Sequence, residues 1–222
     1  MVNNNGNGKN VKVAAIQIEP SPDGLTATLN HTEELIRLSA DKGAKVIALP
    51  QLFALPWFPA TINTDNFNLA EDEDGETISF MRELSSKLDI AIVTPIFEKY
   101  KDKYFNTAFV TGPDGDVLGK YRKMHVPQIP LWEERSYFTP GDLGFTIIET
   151  PYAKIGIQLC WDVFFPEGMR ILALNGADIV IAPTASAFEH SSSKWERAIS
   201  ASAHANGLFV MRVNRIGIEG EQ

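Results

Sequence analysis

From Val11 onward the chain alternates short, almost wholly apolar runs with longer stretches in which apolar residues recur at helical spacing. Val11 to Ile18, Lys45 to Pro50 and Ile90 to Phe97 read as strands. Runs such as Ile90-Ala-Ile-Val93 and Ile179-Val-Ile181 are apolar at every position, as in strands covered on both faces. Leu25 to Lys42 predicts a helix, because Leu29, Leu35, Ile36 and Leu38 fall on helical spacings and Gly43 suits the left-handed cap. Further helices are predicted over Ile78 to Leu88, Pro166 to Asn175 and Ser193 to Asn206. Tyr104 to Thr111 and Val117 to Arg122 form a hairpin across Gly112-Pro-Asp-Gly115. Phe145 to Glu149, Lys154 to Cys160, Asp178 to Ala182 and Leu208 to Asn214 complete the strands. Strands alternating with helices imply an α/β fold, and the hairpin makes the sheet mixed. No repeat or Pro/Gly-rich linker divides the chain, so residues 11–222 read as one domain. Residues 1–10, rich in Asn and Gly, read as a flexible lead that buries too little surface to order itself.

Composition narrows the function classes. With 44% hydrophobic residues, the 222-residue chain has enough apolar surface for a substantial core. A formal charge of -8 offers no basic footprint for nucleic acid or an acidic membrane surface. No run approaches the roughly 18 apolar residues of a membrane span, and the polar start is not a secretory signal. The single cysteine excludes an internal disulfide and a cysteine-based metal cage. These features predict a cytoplasmic protein whose thiol stays reduced.

That cysteine is Cys160, in Ile155-Gly-Ile-Gln-Leu-Cys-Trp-Asp162. In open α/β sheets ligands gather at the carboxyl ends of strands, where Gln51, Cys160 and Pro183 all fall. By itself a cysteine at such a place is more often a small buried hydrophobe than a nucleophile. A strand giving way to a loop and helix, however, can present a thiol beside backbone N–H groups. Lys123 taken alone reads as a solvated lysine, and His125 is a weak candidate for a partnering base. Asp72 to Glu76 lacks the full ligand spacing of a calcium loop and reads as a solvated turn.

Taken together, several stretches resemble the carbon–nitrogen hydrolase (nitrilase) superfamily in order and separation. They are Leu49-Pro-Gln-Leu-Phe53, Gly119-Lys-Tyr-Arg-Lys-Met-His-Val-Pro127, Phe138-Thr-Pro-Gly-Asp142, Gly156-Ile-Gln-Leu-Cys-Trp-Asp162 with Phe165-Pro-Glu167, and His204-Ala-Asn206 through Asn214-Arg-Ile-Gly217. The resemblance implies a four-layer αββα sandwich and subunits paired into a homodimer or larger assembly. It also implies a Glu–Lys–Cys triad that works on a small amide or carbamoyl amine, with no metal and no cofactor. Cys160 matches the nucleophile, Lys123 the lysine, and Glu134 a second glutamate that orients the lysine and substrate. The Trp161 backbone N–H matches an oxyanion donor. Within the superfamily the pattern is closest to the N-carbamoylputrescine amidase and ω-amidase-like branches, and Trp132-Glu-Glu-Arg-Ser-Tyr-Phe-Thr-Pro-Gly-Asp142 supports the former. Val163 and Phe164 stand where members that bind carbamoyl amino acids carry arginines, which disfavours a carboxylate-bearing substrate. Thr184-Ala-Ser-Ala-Phe-Glu189 would border the substrate, with Glu189 either facing a cationic tail or serving as a surface carboxylate.

Two departures bear on function. Gln51 occupies the position of the family's acid/base glutamate, and an amide cannot accept a proton at neutral pH. Loss of general acid–base help costs about 10²- to 10⁴-fold in rate, so turnover is expected to be impaired or trapped after substrate binds. The other class of function open to such a chain is a catalytically silent binding or scaffold protein. The chain also stops where family members usually continue with further strands, which is expected to expose a sheet edge.

Overall fold

The computed structural model of the protein describes residues 10–218; the flexible lead expected over residues 1–10 therefore lies almost wholly outside the described residues. Among the described residues nine strands form two sheets. In the first, β1 (Val13–Ala15), β2 (Val46–Ala48), β3 (Ala91–Tyr100), β4 (Lys103–Thr111) and β5 (Val117–Arg122) lie side by side in chain order. The first three are parallel, and the last three run antiparallel to their neighbours. The second sheet has the order β6 (Ile148–Glu149), β7 (Lys154–Ile157), β8 (Ile179–Thr184) and β9 (Phe209–Asn214), with only the β6–β7 pair antiparallel. Both sheets are mixed, the first through the predicted hairpin of β4 and β5 and the second through the β6–β7 pair.

Alternation along the strands sorts the side chains into separate layers. Val46 and Ala48 of β2, with Ala91 and Val93 of β3, face Ile155 and Ile157 of β7 and Ile179 and Ile181 of β8, forming a dry core between the sheets. The intervening Ile47 and Ile92 point the other way, onto Leu29 and Ile36 of α1 (Leu25–Asp41) and Met81 and Leu84 of α2 (Glu76–Leu88). On the far side Val180 meets Met169 and Leu172 of α3 (Pro166–Leu174). Trp195 of α4 (Ser192–Asn206) closes over Ala182, Val163 and Cys160. The result is the four-layer αββα sandwich, in which strands apolar at every position are covered on both faces.

The strand predicted to end at Phe97 runs on to Tyr100 and turns back through Lys101, which has φ 56°. Charge at Glu98 does not break it, because the Glu98 carboxylate is buried between Arg122 (2.7 and 2.8 Å), Lys120 (2.9 Å) and the Thr107 hydroxyl (2.6 Å). Among the described residues β9 forms an edge of its sheet, and its Phe209 is 78% exposed.

Candidate active site

The carboxyl ends of β2, β5, β7 and β8 converge. β7 ends at Ile157, earlier than the predicted Cys160. Gln158 N–H still donates to Ile181 O at 3.1 Å, and the chain then bends into a 3-10 turn over Cys160–Phe164. Cys160 has φ 50°, a left-handed conformation uncommon for a residue with a Cβ. Asp162 holds this bend. Its fully buried carboxylate accepts from Leu159 N–H at 3.0 Å and Tyr121 Oη at 2.8 Å, and from both the backbone N–H and Nδ1 of His125 at 2.8 Å. One carboxylate thus joins the cysteine turn of the second sheet to the end of β5 in the first. His125 is turned to Asp162 and stacks on Phe165 at 3.7 Å, which leaves it engaged away from the thiol.

Lys123 directly follows β5. Its N–H donates to Asn106 O at 2.9 Å and its carbonyl accepts from Gly141 N–H at 2.8 Å. A Cβ at Gly141 would run into the Arg122 carbonyl oxygen, so the glycine of Thr139-Pro-Gly-Asp142 is there for close backbone approach. The lysine Nζ lies 2.6 Å from Glu134 Oε2, and both side chains are fully buried. Gln51, just past β2, has no exposed surface. Its loop is held by Arg215, whose guanidinium donates to the carbonyls of Gln51 (3.1 Å), Leu52 (2.6 Å) and Leu55 (2.7 Å). The side-chain amides of Gln51 and Asn106 and Oε1 of Glu134 are buried polar atoms without a hydrogen bond of good geometry to protein. Such atoms normally have partners, and together they form a polar recess suited to a small amide or water.

Electrostatics couples the three central groups. Burial works against the charge of Lys123, but the Glu134 carboxylate and a Cys160 thiolate outweigh it and raise the lysine pKa. Burial also pushes up the Glu134 carboxyl, opposed by Lys123 and by the nearby Gln51 and Asn106 amides. Cys160 is 3% exposed, and burial pushes its thiol above the usual range; Lys123 pulls it back and Glu134 adds to the rise. A pocket of about 410 Å³ opens over the thiol, walled by Trp132, Trp161, Phe164 and Trp195. Trp132 Nε1 donates to Ala185 O at 2.9 Å, and the Cys160 Sγ lies 3.8 Å from the same carbonyl.

Thus Cys160 with Trp132 and Trp161, and Lys123 with Glu134, occupy one region, whereas two predicted neighbours of substrate sit differently. Thr184 is buried with its hydroxyl donated to Ala182 O at 2.9 Å, outside the pocket lining. Glu189 is exposed on a short turn, Glu189–Ser191, whose neighbours Phe188 and His190 line the pocket while it does not. Asp162, Asn106 and Arg215 were not singled out from the sequence. Asp162 stands two residues from the cysteine and Arg215 directly follows β9, but their partners are 37 and 163 residues away for His125 and Leu52. Among the described residues, no three His, Cys, Asp or Glu side chains are grouped as a metal would require, and no helix is long and apolar enough to cross a membrane.

Residues 12–222 match the carbon–nitrogen hydrolase family. The chain is 36% identical to the N-carbamoylputrescine amidase of Solanum lycopersicum, over 94% of this chain and 72% of that protein. It is 34% identical to the citrullinase of Francisella tularensis, over 95% of this chain and 76% of that one. Among solved structures, a carbon–nitrogen hydrolase from Helicobacter pylori superposes with a TM-score of 0.88 at 35% identity, covering 93% of this chain and 74% of that one. A buried cysteine on a strained turn beside a buried lysine–glutamate pair, set in an αββα sandwich, agrees with these matches: the chain belongs to the carbon–nitrogen hydrolase family, whose members are cysteine-dependent hydrolases.

Proposed function

We propose that the protein cleaves the carbon–nitrogen bond of a small amide or N-carbamoyl amine through a thioester on Cys160. The observation that carries this reading is the Lys123–Glu134 pair, fully buried at 2.6 Å and electrostatically coupled to the thiol. The Cys160 sulfur attacks the carbonyl or ureide carbon, and the oxyanion is held by the Lys123 ammonium with the Trp161 backbone N–H. The carbon–nitrogen bond then breaks; the nitrogen takes a proton and leaves as ammonia or an amine. Water hydrolyses the resulting thioester, restoring the thiol. The relatives named N-carbamoylputrescine amidase and citrullinase support a carbamoyl substrate. No metal or cofactor enters this chemistry.

Both halves of the cycle need a group that moves protons. We place Gln51 at that position, where its amide can shape the recess but cannot serve as a base. Acylation therefore proceeds with the Lys123-assisted thiol, while thioester hydrolysis is slow, with Glu134 the remaining buried carboxylate. Gln51→Glu is expected to raise the steady-state rate of ammonia release by about 10²- to 10⁴-fold. Mass spectrometry of the parent protein should show an acyl adduct on Cys160 that the variant does not accumulate. If neither protein releases ammonia or forms an adduct while both remain folded, the enzymatic reading fails.

The second reading, a silent binding or scaffold protein, is favoured by the same Gln51, and a folded but inert Gln51→Glu variant is its signature. Pairing of subunits through the outer helices belongs to either reading. It is supported by the exposed Ile171 and Leu174 of α3, at 40% and 68%, and is tested by sedimentation equilibrium. A cytoplasmic location rests on the lone reduced thiol.

A further inference from the structure

Everything that walls the pocket beyond the reacting atoms bears on which amide enters it. Ile129, Trp132, Trp161, Phe164, Phe188 and Trp195 surround the approach to Cys160. Trp132 and Phe188 meet edge to face at 5.6 Å, as do Trp161 and Phe164 at 5.2 Å, so the walls are packed rings rather than loose side chains. The charged or titratable side chains among the lining residues, apart from Cys160, are Lys194 and His190; no carboxylate lines the pocket. Glu189, which could have received an ammonium, is exposed and is not among the residues that line the pocket. Lys194 makes no hydrogen bond or ion pair with any described residue, so its charge at the rim is not cancelled locally.

We infer that the substrates are amides or N-carbamoyl compounds with an apolar or aromatic tail that carries no cationic group, and that Lys194 is the residue that disfavours an ammonium. This rests on the hydrolase reading above and deepens it. A ring or branched aliphatic group gains by leaving water between indole and phenyl faces. A diamine tail would instead bring its ammonium into a pocket whose lining carries a second ammonium, Lys194, and no carboxylate. Cation–π attraction to the rings opposes this effect and is outweighed by the uncompensated Lys194 charge together with the lost hydration of the ammonium.

The test uses the full chain and does not depend on turnover. Cys160 is alkylated with N-benzyl-2-chloroacetamide, 2-chloroacetamide or N-(4-aminobutyl)-2-chloroacetamide; each forms a sulfur–carbon bond and releases chloride. Rates are read by mass spectrometry and divided by those of free glutathione. The benzyl reagent is expected to react fastest and the aminobutyl reagent slowest, with about tenfold or more between them, the range that apolar pocket contacts supply. Lys194→Glu should narrow that ratio by about 2- to 5-fold, the range of a single exposed ion pair. Equal rates, a faster aminobutyl reagent, or no labelling by any reagent would overturn the inference. Ammonia release from a phenyl-tailed amide by the Gln51→Glu variant is measured in parallel. Its absence, with tail-dependent labelling intact, counts against the hydrolase reading and leaves the tail preference standing.

Discussion

Cys160 is acidified and de-acidified by its own neighbours. Burial and the Glu134 charge hold the thiol protonated, and Lys123, with a smaller contribution from Arg212, opposes them. Because the net shift is upward, labelling of Cys160 by iodoacetamide should climb with pH through a midpoint above that of an ordinary thiol. Lys123→Met removes the larger opposing charge, so its midpoint should lie higher still and its rate at pH 8 should fall. A midpoint unmoved by the substitution would mean that the lysine does not act on the sulfur. The residues of this site were readable from the sequence wherever they sit inside a short motif, as Cys160, Lys123 and Glu134 do. Asp162 was quoted with its motif yet given no role, since its partners Tyr121 and His125 arrive from a different sheet. Periodicity carries no trace of such a contact.

At the scale of elements, the β3–β4–β5 meander depends on buried charge. Glu98 is 1% exposed and its carboxyl is held below the usual range: burial alone would raise it, but Arg122, Thr107 and Lys120 together lower it. A carboxyl depressed by folding adds stability that is fully present above its unfolded pKa of about 4.3 and is lost as pH falls through the folded value. Stability should therefore decline on acidification below about pH 4.3, and Glu98→Ala should flatten that decline. The same substitution leaves Arg122 buried without its main partner and should cost about 3–5 kcal/mol in urea denaturation at pH 7. Gly141→Ala is a local companion: the Arg122 backbone must move to admit a methyl group, and Lys123 moves with it. Thiol labelling is expected to suffer more than stability. Element types were legible because apolar runs and helical spacings are strong signals. Ends were less so, as in β3, where a charged residue reads as a stop until its salt bridges are known.

At the scale of the whole molecule, two sheets meet through a dry core of small and branched residues and are tied at one end by Asp162. Ile157, in that inter-sheet core and 1% exposed, should cost about 2–5 kcal/mol as Ile157→Ala, with a cooperative loss seen by circular dichroism. Asp162→Ala strands the Leu159 and His125 N–H groups and the Tyr121 hydroxyl, each a loss of about 1–3 kcal/mol. It should also abolish selective labelling of Cys160, because the left-handed turn loses its anchor. Arg215 makes a long-range tie, reaching from beyond β9 to carbonyls near β2 across 164 residues for Gln51. That reach has a consequence for biosynthesis. On the ribosome, β1 to β5 can pair as they emerge, but the Gln51 loop lacks its Arg215 contacts until β9 has been made. The reactive thiol is thus synthesised before Arg215, and the recess beside it gains this support only after β9 has emerged.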